Sequence, residues 1–407
     1  MNINQTDFQE LIVNNQLVFA GKTASEIINI AGDSPCYIYD RHMISRTIEQ
    51  VKRLLPNRVH LHYAVKANPM SALVSHIASQ VNGLDVASHK ELMIALSSGM
   101  PANKVSLAGP GKSDKELVAA LTAGVVINVE SESELARVSV HAKEIGKKAN
   151  IALRVNPAFH IRGAGMKMTG GAKPFGVDSE KVPKLIQSIN REYCHFVGFH
   201  IFCGSQILSA ELLSDVYQRT ISLAVELSNA AKVIPKQINI GGGFGVTYFQ
   251  HEKPLDIARV CSNLAIYIDK LPPAFTKTEF HLELGRYLVA QAGLYLTKVI
   301  DKKVSREKKF LVCDGGMHHH LANSGNFGQV IRKNYPVLIA NKVDSKFKEE
   351  VNIVGPLCTP LDIIATNINI PSANVGDHIA ILMSGAYGAT ASPQSFLSRE
   401  QVTELLL

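Results

Sequence analysis

The sequence predicts an α/β protein in which a (β/α)8 TIM barrel is joined to a mainly β C-terminal domain. Eight short apolar runs alternate with helical patterns between residues 59 and 283, as in parallel βα units, and eight is the strand count of a closed barrel. After about residue 285 the segments become β-branched and are separated by turns, which indicates a second domain built from strands. A doubly wound open sheet is the alternative for the first part of the chain.

The same pattern predicts where the domains and elements lie. We expect the barrel to occupy residues 36–283, and residues 1–35 to join 284–407 in the β-rich domain. The Gly-rich stretch 163–171 is interpreted as a mobile loop, and a helical pattern covers residues 399–407. The expected barrel strands lie near residues 59–65, 82–86, 104–108, 125–129, 150–155, 196–202, 237–241 and 279–283. The expected helices between them lie near residues 71–80, 89–98, 114–122, 131–146, 180–190, 210–231 and 255–270.

Composition narrows the class of protein. The chain has 407 residues, of which 46% are hydrophobic and 19% charged, as in an ordinary globular protein. No apolar run approaches the roughly 20 residues of a membrane span, and the N-terminus does not resemble a signal peptide. Six widely spaced cysteines indicate reduced thiols in the cytoplasm and not a disulfide framework or a zinc site. The net charge of +7 is too mild for a nucleic-acid surface but suits a phosphorylated cofactor or an acidic partner.

A lysine at the end of the first predicted strand is the first candidate for chemistry. Lys66 follows an alternating apolar run and precedes Pro69 by three residues. Apolar neighbours lower the pKa of an amine and expose its lone pair, which is what an imine-forming lysine needs. The alternative is an ordinary surface lysine at a strand end.

The other strand ends carry a second group of candidates. In a (β/α)8 barrel the chemistry lies at the C-terminal ends of the strands. The predicted ends carry Asp85, Arg154, His200, Gly241 to Gly243, Glu283 and Arg286. Three glycines after the seventh strand allow backbone N–H groups to converge on a phosphate, and Arg286 could add a charge-assisted contact. A tight turn without a ligand is the alternative for the glycines.

An imine-forming lysine, a phosphate cradle and a buried carboxylate together suggest pyridoxal 5′-phosphate. Glu283 would keep the pyridine nitrogen protonated and so make the ring an electron sink. His200 could lie flat against the ring, although a core histidine is the alternative. Asp85 and Arg154 would orient these groups or be merely structural.

The β-rich domain contributes two further candidates. Cys358 lies in a turn four residues before Asp362, and a thiol is a competent proton donor to a carbanion. A small buried residue is the alternative role for this cysteine. Tyr387 lies in a glycine-flanked turn from which its phenol could reach a phosphate.

Seven motifs in this order resemble a known family. They are YAVKAN at 63–68, GLDVAS at 83–88, FHIFCGSQ at 199–206, INIGGGFG at 238–245, ELGR at 283–286, GPLCTPLD at 355–362 and SGAYG at 384–388. Together they resemble the fold-type III pyridoxal-phosphate decarboxylases, which act on diaminopimelate, ornithine or arginine and have an alanine-racemase-like barrel. The resemblance extends from about residue 35 to 398.

The resemblance implies roles for these residues. Lys66 would bind the cofactor covalently, His200 would stack on its ring, and Glu283 would bind its pyridine nitrogen. The phosphate would be surrounded by Ser205, Gly241, Gly242, Gly243, Arg286 and Tyr387. The family forms an obligate homodimer with shared active sites, so the partner subunit's Cys358 would protonate the substrate carbon after carbon dioxide leaves. Phe202-Cys203 looks like an insertion, which departs from the family between the histidine and Ser205, and Leu284 replaces the usual proline.

Other departures from the family concern the substrate. In segment 313–328 the chain lacks the arginine-proline pattern of diaminopimelate decarboxylases and the acidic residue of ornithine enzymes. This segment and the loop 160–168 resemble a narrower branch, the exosortase-associated decarboxylases and the glutamyl carrier-protein decarboxylase of butirosin biosynthesis. The candidate substrate contacts are Arg162, Lys173, His318, Asn326 and Asp362.

The resemblance therefore implies α-decarboxylation of an amino acid, with a glutamyl-like group on an acyl carrier protein as the first choice of substrate. Free diaminopimelate or another diamino acid is the alternative. A racemase would need a partner tyrosine where this chain has a cysteine turn, and a non-catalytic pyridoxal-phosphate carrier would lack the β-rich domain. Adjacent histidines at His318 to His320 point in alternate directions, so we expect no metal site there or elsewhere.

Overall fold

The structure is a computed structural model that describes residues 8–160, 166–167, 169–249, 251–327, 329 and 332–407. The chain forms two compact units. One unit, the barrel unit, comprises Ser45–Val246 and Lys253–Tyr287, and the other, the β-rich unit, comprises the remaining residues. In the part of the chain described, no helix is long and apolar enough to cross a membrane.

The barrel unit is a closed parallel barrel. Its eight strands, numbered first to eighth below, are Val59–Ala64, Gly83–Val86, Val105–Leu107, Val126–Val129, Ala149–Asn156, Cys194–His200, Gln237–Asn239 and Glu279–Leu284. Each strand pairs in parallel with its neighbour, and the eighth pairs with the first to close the ring. The predicted barrel with its β-rich second domain is confirmed, and the open-sheet alternative is excluded because an open sheet has two unpaired edges.

Helices precede, connect and follow the barrel strands. They are Arg41–Leu54, Ser71–Ala78, His89–Ser97, Asp114–Ala123, Glu132–Ile145, Val182–Ser188, Ala210–Ala231, Ile257–Asp269 and the short Arg286–Val289. Several begin at a serine whose hydroxyl accepts a backbone N–H three residues later, as Ser113 does from Glu116 at 3.3 Å. Short 3-10 turns lie at Val65–Ala67, Ala102–Lys104 and Pro273–Phe275.

The β-rich unit is built around the long strand Gly293–Ser305. One of its neighbours is Cys36–Tyr39, which pairs antiparallel with residues 293–296. The other strands of this sheet are Lys308–Cys313, Val337–Ile339, Lys348–Val354, Ile363–Pro371, His378–Ile381 and Thr403–Leu406. A three-stranded N-terminal meander and a helix precede it, at Ile12–Val13, Gln16–Phe19, Lys22–Thr23 and Ala24–Ala31, and 3-10 turns lie at Gln9–Leu11, Ala389–Ala391 and Phe396–Ser398.

The structure differs from the sequence-based expectation at both ends of the chain. The predicted C-terminal helix over 399–407 is wrong, because Thr403–Leu406 forms a strand parallel to Cys36–Tyr39. The predicted barrel begins at residue 36, whereas the strand Cys36–Tyr39 lies in the β-rich sheet and the barrel unit begins at Ser45. Pairing between segments far apart in sequence decides both, and the local pattern does not report it.

Candidate active site

Lys66 lies in the 3-10 turn that follows the first barrel strand. Its neighbours Val65 and Ala67 are 0% and 1% exposed, so the turn is fixed by burial while the lysine side chain remains exposed. The Lys66 ammonium lies 5.3 Å from the centroid of the Phe202 ring. A Cβ on Gly285 would lie 2.8 Å from Cβ of Ala67, so a glycine after the eighth strand is needed for the two strand ends to approach. The structure thus presents the lysine at the C-terminal end of the barrel.

His200 and Glu283 form a buried pair at the ends of the sixth and eighth strands. His200 Nε2 lies 3.2 Å from Glu283 Oε1, and the two residues are 2% and 8% exposed. Asn239, at the end of the seventh strand, donates from Nδ2 to Glu283 Oε2 at 3.4 Å. His200 Nδ1 is buried and has no hydrogen-bond partner among the described residues. The carboxylate is therefore oriented from two sides by neighbouring strands.

The glycine triplet after the seventh strand is tightly enclosed. Gly241 and Gly243 have φ of 72° and 104°, a region that favours glycine. A Cβ on Gly242 would lie 1.9 Å from the carbonyl oxygen of Glu283, so no side chain fits there. The hydroxyl of Tyr217 donates to the carbonyl of Gly242 at 2.8 Å. The loop is consequently a preformed cradle of backbone groups.

Ser205 and Arg286 lie in the barrel unit on either side of this cradle in sequence. Ser205 is half-buried and belongs to a two-residue strand, Gly204–Ser205, that pairs antiparallel with Met166–Lys167. Met166–Lys167 belongs to the Gly-rich stretch 163–171, whose residues 163–165 and 168 lie outside the described residues, so the predicted mobile loop stays a prediction. Arg286 is half-buried and begins the helix Arg286–Val289 directly after the eighth strand.

Asp85 lies inside the barrel and bonds to residues of neighbouring strands. Ser106 Oγ donates to Asp85 Oδ1 at 2.5 Å, and His62 Nδ1 lies 3.4 Å from the same oxygen. Burial raises the pKa of the Asp85 carboxyl, but the charge and hydrogen bond of His62 outweigh burial and bring the pKa below its ordinary value. Asp85 is therefore a carboxylate that fixes the barrel interior.

Arg154 is similarly bonded to a neighbouring strand end. Its Nη1 donates to Glu130 Oε1 at 2.8 Å, and its guanidinium lies 5.1 Å from the centroid of the Phe175 ring. Glu130 also accepts from the backbone N–H groups of Gly109 at 2.7 Å and Gly176 at 3.1 Å. This carboxylate thus ties together the loops after the third and fifth strands.

Glu91 is a further carboxylate near the first strand ends. Its Oε2 accepts from the backbone N–H of Ala87 at 2.8 Å. Burial raises the pKa of the Glu91 carboxyl, partly offset by that hydrogen bond and by the charge of Lys66. The opposite charges of Glu91 and Lys66 therefore act on one another at this end of the barrel.

In the β-rich unit the turn around Cys358 is built on Asp362. Asp362 is 2% exposed and accepts the backbone N–H groups of Leu357 at 2.8 Å and Met317 at 2.6 Å. Burial raises the pKa of the Asp362 carboxyl above its ordinary value, although the two hydrogen bonds act to lower it. Cys358 is exposed, whereas the five other cysteines are buried. Asp362 fixes the turn that presents the thiol.

The remaining predicted substrate contacts are either buried, exposed or outside the described residues. His318 is fully buried, its ring centroid lies 3.8 Å from that of His319, and burial lowers its pKa to about 4. Asn326 is exposed and donates to Ser324 Oγ at 2.8 Å. Lys173 is exposed in the barrel unit, and Arg162 lies outside the described residues.

Tyr387 occupies an unusual backbone conformation. Its φ is 53°, which is uncommon for an aromatic residue and marks a strained turn. The Tyr387 ring lies 6.3 Å from that of Phe327 within the same unit.

Two contributors were not anticipated from the sequence. Asn239 touches Glu283 and also accepts the N–H of Gly241 at 2.8 Å, so it links the carboxylate to the glycine loop. Its position as the last residue of the seventh strand could have identified it. Tyr217 lies on a helix 25 residues before Gly242, and no local signal indicates that its hydroxyl reaches that carbonyl.

Comparison with known proteins places these features in a wider group. Residues 41–290 match the family model of the pyridoxal binding domain of pyridoxal-dependent decarboxylases. The chain is 34% identical over 380 residues to the L-glutamyl-[BtrI acyl-carrier protein] decarboxylase of Niallia circulans, covering 92% of this chain and 89% of that protein. It is 31% identical over 398 residues to the diaminopimelate decarboxylase of Aquifex aeolicus, covering 96% and 90%.

A solved structure gives the same result at the level of the fold. The diaminopimelate decarboxylase of M. jannaschii in co-complex with L-lysine aligns with a TM-score of 0.88 at 26% identity, covering 97% of this chain and 92% of that one. The resemblance predicted from the seven sequence motifs is confirmed by these similarities.

Proposed function

The chain belongs to the pyridoxal-dependent decarboxylase family and is a carboxy-lyase, and on that premise we propose that it uses pyridoxal 5′-phosphate to decarboxylate an aminoacyl group carried on an acyl carrier protein. The observation that carries the cofactor proposal is the arrangement at the C-terminal strand ends, where Lys66, the Glu283–His200 pair and the glycine cradle occur together. A glutamyl group is the first choice of substrate, because the relative with 34% identity acts on one.

The described residues fit this cofactor. His200 Nδ1 is buried and has no protein partner among the described residues. A side chain at position 242 would clash with the carbonyl of Glu283, so the glycine loop offers backbone groups to a ligand. Lys66 would bind the cofactor through its amine, Glu283 would bind the pyridine nitrogen, and the face of His200 would support the ring. Ser205, Gly241 to Gly243, Arg286 and Tyr387 would bind the phosphate. Pyridoxal phosphate, when bound, supplies an electron sink for the bond that breaks at the substrate α-carbon.

The protein's contribution is mainly orientation and charge. Glu283 keeps its carboxylate in one position because His200 and Asn239 contact its two oxygens. A fixed carboxylate stabilises a proton on its partner nitrogen without the reorganisation that water would require. Lys66, on an exposed side chain above a buried turn, can move away and return while its backbone stays in place.

We propose that Cys358 of the partner subunit returns the proton to the substrate carbon in an obligate homodimer. Two observations support this role. Cys358 is the exposed cysteine, and Asp362 fixes the backbone of its turn. Because all six cysteines are free thiols, the proposal includes a reducing compartment such as the cytoplasm.

The segment 313–328 supports a carrier-bound substrate over free diaminopimelate. A distal α-carboxylate of a free diamino diacid calls for a cation, and the described residues of this segment contain no lysine or arginine. Arg332, four residues beyond it, donates to the carbonyls of Ser324 at 3.1 Å and Ile364 at 3.0 Å. That guanidinium is therefore committed to internal hydrogen bonds. The net charge of +7 also favours docking of an acidic carrier protein.

A decarboxylation screen tests the substrate. Purified enzyme with pyridoxal phosphate would be offered a glutamyl carrier-protein thioester, free glutamate and free diaminopimelate, and carbon dioxide release would be measured. We expect turnover of the thioester and at most trace turnover of the free acids. Comparable or faster release from free diaminopimelate would contradict the carrier proposal and leave the decarboxylase assignment standing.

Substitution of Lys66 tests the cofactor. The variant Lys66→Ala should lose both the visible absorbance of the covalently bound cofactor and decarboxylation, because it removes the amine proposed to bind the cofactor. Lys115→Ala, which removes an exposed lysine from the helix Asp114–Ala123, is the matched control and should keep both. Retained cofactor absorbance in Lys66→Ala would refute the assignment.

Complementation tests the shared site. If each site combines Lys66 of one subunit with Cys358 of the other, neither Lys66→Ala nor Cys358→Ala is active alone. Random mixing makes half of the dimers hybrid, each with one intact site, so mixed subunits should recover about a quarter of wild-type activity. Recovery of no activity, with hybrid dimers shown by mass spectrometry, would place both residues in the same chain's site.

A further inference from the structure

A second cluster of metal-ligating side chains lies at the opposite, N-terminal end of the barrel. It consists of His60 on the first strand with Glu279 and His281 on the eighth. One ring nitrogen of each histidine and one oxygen of Glu279 all lie within 4.8 Å of one another. Four residues along a strand span about 13 Å, so Glu279 is well separated from Glu283 and the decarboxylation site.

The barrel closure brings these side chains together. The first and eighth strands pair in parallel, and His60 is directly opposite His281 in the register. Glu279 lies two residues before His281 and therefore on the same face of its strand. The ring centroids of His60 and His281 are 5.8 Å apart. The strand pairing thus preorganises the three donors at the seam of the barrel.

The chemistry of the donors suits a transition metal. Two imidazoles and one carboxylate are a common ligand set for Zn²⁺, with bond lengths of about 2.0–2.2 Å. Tetrahedral coordination separates neighbouring donors by about 3.4 Å, which small side-chain rotations can reach from the observed spacing.

The surroundings leave space and an entry path. A cavity of about 140 Å³, lined by Glu279 and His281 among others, adjoins the cluster and has room for an ion with its water. The Glu279 side chain is 41% exposed, which opens the cluster to solvent. Lys104 and Lys236 also line the cavity and oppose a cation, whereas the carboxylate of Glu279 favours it. Because two of the three donors are imidazoles, a transition metal is preferred over Ca²⁺ or Mg²⁺, which need more oxygen ligands.

We propose that His60, Glu279 and His281 bind a divalent transition-metal ion of the zinc class, which fastens the first barrel strand to the eighth. The fourth position would be filled by water. An ion bound there stabilises the closed barrel by mass action, because the three donors converge only when the strands are paired.

Metal binding to the cofactor-loaded enzyme tests the proposal. Protein treated with EDTA and dialysed would be titrated with ZnCl2 in a calorimeter, and with CoCl2 while visible absorption is recorded. We expect one ion per chain. Zinc at a hundredfold excess over its dissociation constant should raise the Tm by on the order of 5 °C. His60→Gln and Glu279→Gln should each weaken binding at least tenfold.

Two controls separate this cluster from other histidines. His195→Gln removes a histidine that lines the same cavity but is not part of the triad, and His318→Gln removes one from the other histidine run. Both should bind zinc like wild type. Circular dichroism would check that the variants are folded. If a variant does not fold, the visible spectrum of cobalt bound to the wild-type protein still reports whether nitrogen atoms are ligands. Absence of binding, binding unchanged in both triad variants, or binding lost only in His318→Gln would overturn the proposal.

Discussion

The hydrogen bond from Tyr217 to the glycine loop can be tested with Tyr217→Phe, which removes only the hydroxyl oxygen that supports the loop. Tyr217 is 0% exposed, and its hydroxyl donates to the carbonyl of Gly242 at 2.8 Å. Burial raises the pKa of Tyr217 far above its ordinary value, so the phenol remains a donor at any working pH. Gly242 is confined on another side by the carbonyl of Glu283. Tyr217→Phe therefore leaves a buried acceptor without a partner and leaves the packing of the ring in place.

The expected magnitude follows from that unpaired carbonyl. Leaving a buried acceptor unsatisfied costs about 1–3 kcal/mol. If the loop stays in place, the cost appears as a lower free energy of unfolding. If the loop relaxes toward another partner, the cost appears as weaker cofactor binding, by about 5- to 150-fold at the extremes. The two losses together should fall within the same range of about 1–3 kcal/mol.

The assay measures both quantities on one preparation. Urea unfolding of the enzyme without cofactor gives the change in stability, and titration with pyridoxal phosphate followed by absorbance gives the change in dissociation constant. Tyr267→Phe is the matched control, because Tyr267 lies half-exposed on the helix Ile257–Asp269. If Tyr217→Phe changed stability by less than about 0.5 kcal/mol and the dissociation constant by less than threefold, the proposed support of the cradle would be refuted.

Three further predictions follow from other residues. Gly242→Ala should cost about 3 kcal/mol or more in urea unfolding because its Cβ would lie 1.9 Å from a carbonyl oxygen. Gly111→Ala, with no atom within 4 Å of the added Cβ, should stay within about 0.5 kcal/mol, and equal effects would contradict the clash. At Glu349, burial raises the pKa of the carboxyl, but hydrogen bonds from two lysines outweigh burial and lower the pKa to about 2. A depressed pKa contributes stability that is present above about pH 4.5 and lost as pH falls towards 2. Glu349→Gln should therefore lower the free energy of unfolding at pH 7 by about 1 kcal/mol, because solvent screens this partly exposed ion pair, and should flatten its slope across that window. An unchanged slope would show that the lysines do not act on this carboxylate. A thiol reagent should label one of the six cysteines in the folded protein, at Cys358, and abolish decarboxylation while cofactor binding remains, and labelling without loss of activity would argue against its role as proton donor.

Much of the barrel could be predicted because its signals are local. The eight predicted strands agree with the observed ones to within a few residues, since a buried parallel strand is a short apolar run bounded by turn residues. The predicted site residues of the barrel unit follow from the same rhythm, because parallel strands bring their C-terminal ends to one face. Lys66, His200 and Glu283 were predicted as site residues in this way.

The interactions that the sequence did not predict depend on residues far away along the chain. Residues 399–407 have a helical pattern but form a strand, because Cys36–Tyr39 offers an unpaired edge to Thr403–Leu406. The contact of Asp362 with substrate stays a prediction, but the sequence did not indicate that both of its oxygens accept backbone N–H groups, those of Leu357 and Met317. Neither the edge nor the N–H groups can be identified from the neighbouring sequence.

The sequence by itself determined the strand and helix order, the lysine at the first strand end, the glycine triplet and the family. These features depend on side chains a few residues apart, so the pattern reports them directly. Only the tertiary structure decided that Asn239 and His200 orient Glu283, that Tyr217 supports Gly242, and that His60 meets Glu279 and His281. The physical reason is that strand pairing sets the ends of the sixth, seventh and eighth strands side by side and joins the eighth to the first, while the helix Ala210–Ala231 packs Tyr217 against the glycine loop, so groups far apart along the chain meet.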